Sequence, residues 1–392
     1  MYYGKMLGSI DMKSTCLQPN LNKALNQVSR LAPARSELPI LSNFLVKATK
    51  GTLAFYATNL QLSICSRIGA EVEKEGEITA PAAPVQNYVS ALTPDKINLE
   101  VVQNKLKVSS KTSQAAFVTM EAVDFPSFPR KAKEPLFIFK VQELSRCIHK
   151  VCFAAAADDS RPVLTGILVK VADSQATLVA TDGFRLSEVK GTTVRSAKDE
   201  KPLVIPAAAF LEVEKLLGGS GEEEAAVYLS EDKNQLIFDL VSVQLATRLI
   251  ESEFPDYEKI LPTEFTLKAS LDKEEFLRAV RTAAIFSQRD GQTVHLTFED
   301  KSLTVEAQSA EIGEGREKIP ASIEGDGLKI AFNAVFLKEG LEAVNDQEII
   351  FEAKDSLSPI KLSSADQKAG SLDAGFFHII MPIRIEEQQQ TA

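Results

Sequence analysis

The chain has 392 residues, with 44 Lys and Arg against 54 Asp and Glu, a formal net charge of −10. Its 44% hydrophobic and 25% charged content is that of a folded globular chain, which excludes wholesale disorder, and no apolar run is long enough for a membrane-spanning helix. Four Cys give no disulfide framework, which places the expectation in a reducing cytoplasm, and Met1 to Asp11 lacks the apolar stretch of a secretory signal.

The predicted elements repeat in chain order. A helical segment, 21–32, is followed by Leu38-Pro-Ile-Leu41 and a strand, Phe44–Ala48, then Leu53-Ala-Phe-Tyr-Ala-Thr-Asn-Leu60. From Leu60 to Ile68 apolar residues alternate with Gln61, Ser63, Cys65 and Arg67, the pattern of a half-buried strand. Ile78-Thr-Ala-Pro81 leads into a second helix, 82–92. The same series returns with helix 141–154, Pro162-Val-Leu164, Leu178-Val-Ala-Thr-Asp-Gly-Phe-Arg-Leu186, and Val204-Ile-Pro206 before helix 207–217. It returns again with helix 273–286, Leu303-Thr-Val-Glu-Ala-Gln-Ser309, and Ile330-Ala-Phe-Asn333 before helix 334–344. Pro at a helix start is tolerated because that N–H has no intrahelical partner, and Asn333 is placed to cap its helix. Three units of about 125 residues follow, each with two helix-plus-strands modules. The fold class is α+β, with boundaries at 1–134, 135–261 and 262–385 and a polar tail at 386–392.

Catalytic signatures are missing. There is no G-x-x-x-x-G-K-[ST], no H-E-x-x-H, no G-x-S-x-G and no C-x-x-C. Cys147 and Cys152 read as packed thiols, and His149, His295 and His378 as structural imidazoles. Asp158–Asp159 is an adjacent carboxylate pair; with Asp182 it supports a metal-dependent enzyme as one alternative, and a repeat protein with no DNA role is another. The predicted metal and cofactor content is none.

Charge is uneven. The first two units carry net charges of +5 and −6, and the third together with the tail carries −9. The six predicted helices hold nine cations, Lys23, Arg30, Arg146, Lys150, Lys215, Lys273, Arg278, Arg281 and Lys338, against seven acids. Helices gathered on one face would make that face basic relative to the rest, although Lys and Arg are also good helix formers in their own right.

Leu38-Pro-Ile-Leu41, Ala180-Thr-Asp-Gly-Phe-Arg-Leu-Ser187, Phe254-Pro-Asp-Tyr257 with Leu261-Pro262, and Met381-Pro-Ile-Arg384, in this order within three tandem units, resemble the bacterial DNA polymerase III beta subunit family, the DNA sliding clamps. The resemblance covers about residues 12–385. It implies a non-catalytic, head-to-tail homodimeric ring around double-stranded DNA, binding without sequence preference. It also implies partners: the polymerase III catalytic subunit, a clamp loader and other proteins carrying a clamp-binding peptide. The implied peptide cleft is Leu164, Thr181, Gly183, Phe184, Arg185, Leu186, Pro255, Lys259, Ile260, Leu357, Pro359, Ile379, Ile380, Met381, Pro382, Ile383 and Arg384, with Arg185 and Arg384 as rim donors. Arg35 matches a DNA-contacting loop residue. The DNA-facing set is then Arg35, Lys23, Arg30, Arg146, Lys150, Lys273, Arg278 and Arg281. Phe117 is expected to meet Ile285 and Phe286 of a second copy. Departures fall at Phe184, where the family commonly has His, at Lys259 in place of Arg, and at Asp158 and Pro162–Val163, which leaves DNA contact by that loop open.

Overall fold

The computed structural model describes residues 12–158, 160–196, 201–219, 221–287, 292–368 and 370–384. Among them are six α-helices: α1 Gln18–Ser29, α2 Ala82–Ser90, α3 Val141–Val151, α4 Ala207–Leu217, α5 Lys273–Ser287 and α6 Ala334–Ala343. All six lie where the repeat predicts them. α1 begins three residues before its predicted start because Pro19 sits in its first turn, where a missing N–H costs no hydrogen bond. Asn333 caps α6 as expected, its Oδ1 accepting from the Val335 and Phe336 N–H groups at 2.8 and 3.4 Å.

The described residues fall into two compact units. One lies within Met1–Val141 and Glu212–Leu249, the other within Gln142–Leu211 and Ile250–Ala392. The cut passes through the central repeat rather than between repeats, and sheet pairing explains it. In the first unit the strands run 137–140, 224–229, 235–240, 243–248, 62–69, 52–58, 43–49, 76–81, so the second half of the central repeat continues the sheet of the first repeat. The join is antiparallel, with Ile64 opposite Leu245. In the second unit the strands run 203–206, 166–172, 175–181, 185–192, 377–380, 360–364, 348–353, 267–272, 322–325. There the first half of the central repeat continues the last repeat, with Leu186 opposite Ile379.

Each unit keeps one further sheet. In the first unit its order is 71–74, 13–17, 96–102, 105–109, 114–118; in the second it is 313–320, 302–309, 293–299, 328–333. Helices bury one apolar stripe: α1 packs chiefly on strands 62–69 and 52–58 of the joined sheet, and α5 on strands 313–320 and 302–309 of the further one. α1 buries Leu21, Ala24, Leu25 and Val28, at i, i+3, i+4 and i+7, and α5 buries Phe276, Leu277, Val280 and Ala283. Each Leu, Val or Phe among them contributes about 1.5–3 kcal/mol when fully buried.

The repeated Ala-Thr-Asx motif is a turn. In the second unit the Thr181 hydroxyl donates to the Arg185 carbonyl at 2.6 Å and accepts from the Gly183 N–H at 3.0 Å, while Asp182 Oδ1 accepts from the Phe184 and Arg185 N–H groups. In the first unit Thr58 and Asn59 make the same set of bonds to Leu60, Gln61 and Leu62. The turn needs a left-handed third residue. Gly183 supplies it at φ 93°, but the first unit has Leu60 at φ 74°. Leu60 therefore stands outside the strand, which begins at Leu62, correcting the alternation that included it. Cys65, expected on the polar face, is fully buried in that strand because both flanking strands cover it.

Candidate functional site

Turn 181–185, strand Phe377–Ile380 and the linker helix Tyr257–Ile260 come together in the second unit. The Met381 N–H donates to the Phe184 carbonyl at 2.9 Å, which sets those two side chains beside each other at the end of the joined sheet. Ile360 lies opposite Ile380, so Pro359 and the turn before it flank Met381. Asp355 shapes that turn by accepting from the Leu357 and Ser358 N–H groups, bonds that also hold its carboxyl below the usual range. Four large apolar side chains stand out from this junction: Phe184, Ile260, Leu357 and Met381 are 60, 54, 62 and 41% exposed. Beneath them Leu168, Val179, Leu186, Val204, Tyr257 and Ile379 form one buried cluster, with Phe254 and Leu261 packed against it. Exposed apolar groups above a rigid core suit an apolar partner segment.

The cleft residues thus divide into two kinds. Phe184, Ile260, Leu357 and Met381 present surface, with Gly183, Pro255, Lys259 and Arg384 exposed and Pro359, Pro382 and Ile383 half-buried around them. Leu164, Thr181, Leu186, Ile379 and Ile380 are buried. They are floor and turn: Leu186 and Ile379 face the buried cluster, and Ile380, next in the strand, is covered on the opposite face of the sheet.

Arg185 is a correction. It is not a free rim donor. Its Nε donates to Asp182 at 3.0 Å, Nη1 to Glu339 and Nη2 to the Phe153 carbonyl at 2.6 Å. Its guanidinium also lies 4.4 Å from the Phe336 ring centroid and 5.6 Å from that of Phe153. Every side of the fork has a partner inside the protein, so Arg185 ties turn 181–185 to α6. Glu339, 154 positions away, left no local sign of this in the sequence.

His378 lies under the same junction, fully buried, with its Nδ1 2.7 Å from the Ser187 hydroxyl. Burial, then the nearby Arg185 charge, pushes the imidazole down to about 3. Between that value and 6.5 the unfolded chain holds a proton here that the folded chain does not. Stability should therefore be complete above pH 6.5 and fall by about 1.4 kcal/mol per pH unit below it. Chemical denaturation of the whole protein at pH 6.5 and 5 should show about 2 kcal/mol of loss. A His378→Gln variant should lose that slope; an unchanged slope would assign it elsewhere.

The predicted DNA-facing cations also divide. Arg35 is exposed with no ion pair among the described residues. Lys273, half-buried, has no side-chain ion pair among them either. Lys23 donates to the Gly219 carbonyl at 2.7 Å, and Arg30 pairs with Glu212 at 2.6 Å. Arg278 and Arg281 form exposed pairs with Glu317 and Glu342 at 3.0 and 2.7 Å, a geometry worth little in water. Lys150 is a correction. It is 1% exposed and donates to Asp373, the Ala343 carbonyl and Asn345, so it presents no charge to a surface. Arg146 is withdrawn with it, since its fork is occupied by Glu143 and the carbonyls of Lys190, Leu372 and Ala374.

At the predicted interface, Phe117 lies on edge strand 114–118, half-buried with its ring 5.7 Å from that of Tyr88. Ile285 is 54% exposed at the end of α5. Phe286 covers Gly315 on edge strand 313–320, where an added Cβ would sit 2.4 Å from the ring. The metal-site alternative loses two of its ligands: Asp158 accepts from the Ser160 N–H and hydroxyl, and Asp182 is bound by Arg185. Asp159 lies outside the described residues, as does the 386–392 tail. No described helix is long and apolar enough to cross a membrane.

Family models for the DNA polymerase III beta subunit match in chain order: the N-terminal domain at residues 12–129, the central domain at 139–256 and the C-terminal domain at 258–384. A protein of Synechococcus elongatus named beta sliding clamp is 30% identical over 380 residues, covering 95% of this chain and all of that one. A Streptomyces coelicolor protein of the same name is 28% identical, covering 93% of this chain and 97% of its own. Among solved structures, the DNA polymerase III subunit beta of Pseudomonas aeruginosa aligns at a TM-score of 0.88 with 26% identity, covering 95% of this chain and all of that one. The beta sliding clamp of C. crescentus aligns at 0.88 and 26%, covering 96% and 100%. Three clamp domains in order, built of joined half-sheets and spanning nearly the whole length of these relatives, place the chain in the bacterial DNA polymerase III beta subunit family.

Proposed function

We propose that the chain is a sliding clamp, a non-catalytic ring of two head-to-tail copies around duplex DNA. It holds the replicative polymerase, the clamp loader and other peptide-bearing proteins at the Phe184, Ile260, Leu357 and Met381 surface. One observation supports the ring above the others. At both internal joins the last strand of a repeat pairs with the strand that ends the first half of the preceding repeat: 243–248 with 62–69, and 377–380 with 185–192. The same rule leaves one donor and one acceptor over. Strand 114–118 ends the first repeat and strand 313–320 ends the first half of the last, and each is a sheet edge. An unpaired edge is a template for another chain. Pairing these two between copies is heterologous and head-to-tail, and such contacts close into a ring when the rotation allows.

A ring retains DNA by topology, so strong phosphate contacts are unnecessary and would slow sliding. Helix cations largely neutralised by Glu212, Glu317 and Glu342 suit a weak, sequence-independent attraction. Arg35, which has no such neighbour among the described residues, carries the sharpest expectation. Arg35→Glu should leave the fold intact and reduce loading onto primed circular DNA most at low salt, the deficit narrowing as salt rises because the salt slope is shallower by about 1. Equal loading at every salt concentration would remove Arg35 from the DNA path.

A further inference from the structure

Residues 365–376 connect the last two strands of the second unit, and the described ones, 365–368 and 370–376, have no regular secondary structure. They run directly into Phe377–Ile380 and Met381, the strand and side chain on which the proposed peptide surface is built. α3 holds this connection with two cations. Lys150 Nζ donates to the Asp373 carboxylate, to the Ala343 carbonyl at the end of α6 and to Asn345 Oδ1 at 2.6 Å, and sits 4.8 Å from the Phe376 ring centroid. Asp373, 2% exposed, also accepts from the Asn345 N–H at 2.9 Å and the Asp346 N–H at 2.8 Å. Arg146 donates to the Leu372 and Ala374 carbonyls on either side of Asp373, and to the Lys190 carbonyl at 2.7 Å. The Lys190 N–H in turn donates to the Gly375 carbonyl at 3.1 Å. Gly375, at φ 67°, lies so close to Lys190 that an added Cβ would be 2.8 Å from the Lys190 Cβ.

A buried ion pair is a poor device for stability, since apolar groups of equal volume often serve as well. It is a good device for register, because the charge has one place where it is satisfied. Beyond this connection, the Met381 N–H donates to the Phe184 carbonyl and the Ile383 N–H to the Ala331 carbonyl.

We propose that Lys150 and Arg146 are positioning residues for the peptide surface, fixing segment 365–376 on α3 so that Phe377–Arg384 is in its binding arrangement before a peptide arrives. This rests on the peptide-docking reading above. Holding a surface ready lowers the ordering cost of binding. If release of the segment leaves about one molecule in ten competent, the apparent affinity falls about tenfold.

The test uses the full chain, a fluorescent Gln-Leu-x-Leu-Phe-type peptide and amide hydrogen exchange. Wild-type binding first establishes the surface; a wild type that does not bind overturns that reading, and this inference with it. Given wild-type binding, Lys150→Met should bind about tenfold more weakly, with faster exchange at residues 377–384 and an unchanged dimer in sedimentation. Arg146→Met supplies the same readouts if Lys150→Met does not fold. Wild-type affinity in a folded variant overturns the positioning role. So does weaker binding with unchanged exchange at 377–384.

Discussion

Ile285→Asp should turn the dimer into monomers without unfolding the chain. Ile285 is more than half exposed in the single copy, so the substitution removes little packing there, and surface changes of this kind usually stay within about 0.5 kcal/mol. The dimer is different. Ile285 precedes Phe286, which lies on edge strand 313–320, the strand proposed to accept the partner's 114–118. An unpaired carboxylate enclosed there costs at least about 2 kcal/mol. A two-copy ring has two such interfaces, so the loss is about 4 kcal/mol, roughly a thousandfold in dissociation constant. Sedimentation velocity at dilute concentration reads the monomer fraction, and a thermal melt checks the fold. A dimer as firm as wild type would exclude Ile285 from the interface and weaken the pairing of the two edges.

Met381→Asp should abolish peptide binding while the dimer survives. Met381 stands 41% exposed beside Phe184, with its backbone already bonded, so the new carboxylate faces solvent in the free protein. A bound apolar peptide would enclose it. Losses at the centre of a contact run to about 2–4 kcal/mol, or thirtyfold to a thousandfold. Phe184→Ala tests the opposite side of the same pair by truncation and should act in the same direction. Fluorescence polarisation with a labelled Gln-Leu-x-Leu-Phe-type peptide measures both. Affinity equal to wild type in both variants would move the docking surface elsewhere.

The helices and the threefold repeat were legible because each rests on local chemistry. The Ala-Thr-Asx motif recurs because one turn recurs, and its hydrogen bonds involve residues at most four positions apart. Asn333 announced α6 for the same reason. Pairing between repeats was not legible. That Leu186 meets Ile379, or that the central repeat divides between its neighbours, depends on strands nearly two hundred residues apart. The site shows the same division. Phe184 and Met381 could be placed as surface once the motifs were matched. Arg185, Arg146 and Lys150 read as available cations, although Asp182 and Glu143, three positions before the two arginines, each take part of the guanidinium. Their partners Glu339, Leu372, Ala374 and Asp373 arrive only through tertiary packing. Charge counted along a helix therefore overstates what the helix offers a ligand. Of the predicted DNA-facing set, most cations have an acid or a carbonyl within hydrogen-bonding distance.

Topological retention on DNA separates a sliding clamp from every ordinary DNA-binding protein. The direct measurement loads the labelled protein onto nicked circular duplex with a clamp loader and ATP, isolates the complex, and then linearises the DNA with a restriction enzyme. The ring account predicts long retention on the circle even at salt that dissolves phosphate contacts, and rapid loss once the DNA has ends. Blocking both ends with bulky bound protein should restore retention. Protein that leaves circular and linear DNA at the same salt-dependent rate would show that charge, not closure, holds it there, and would contradict the ring.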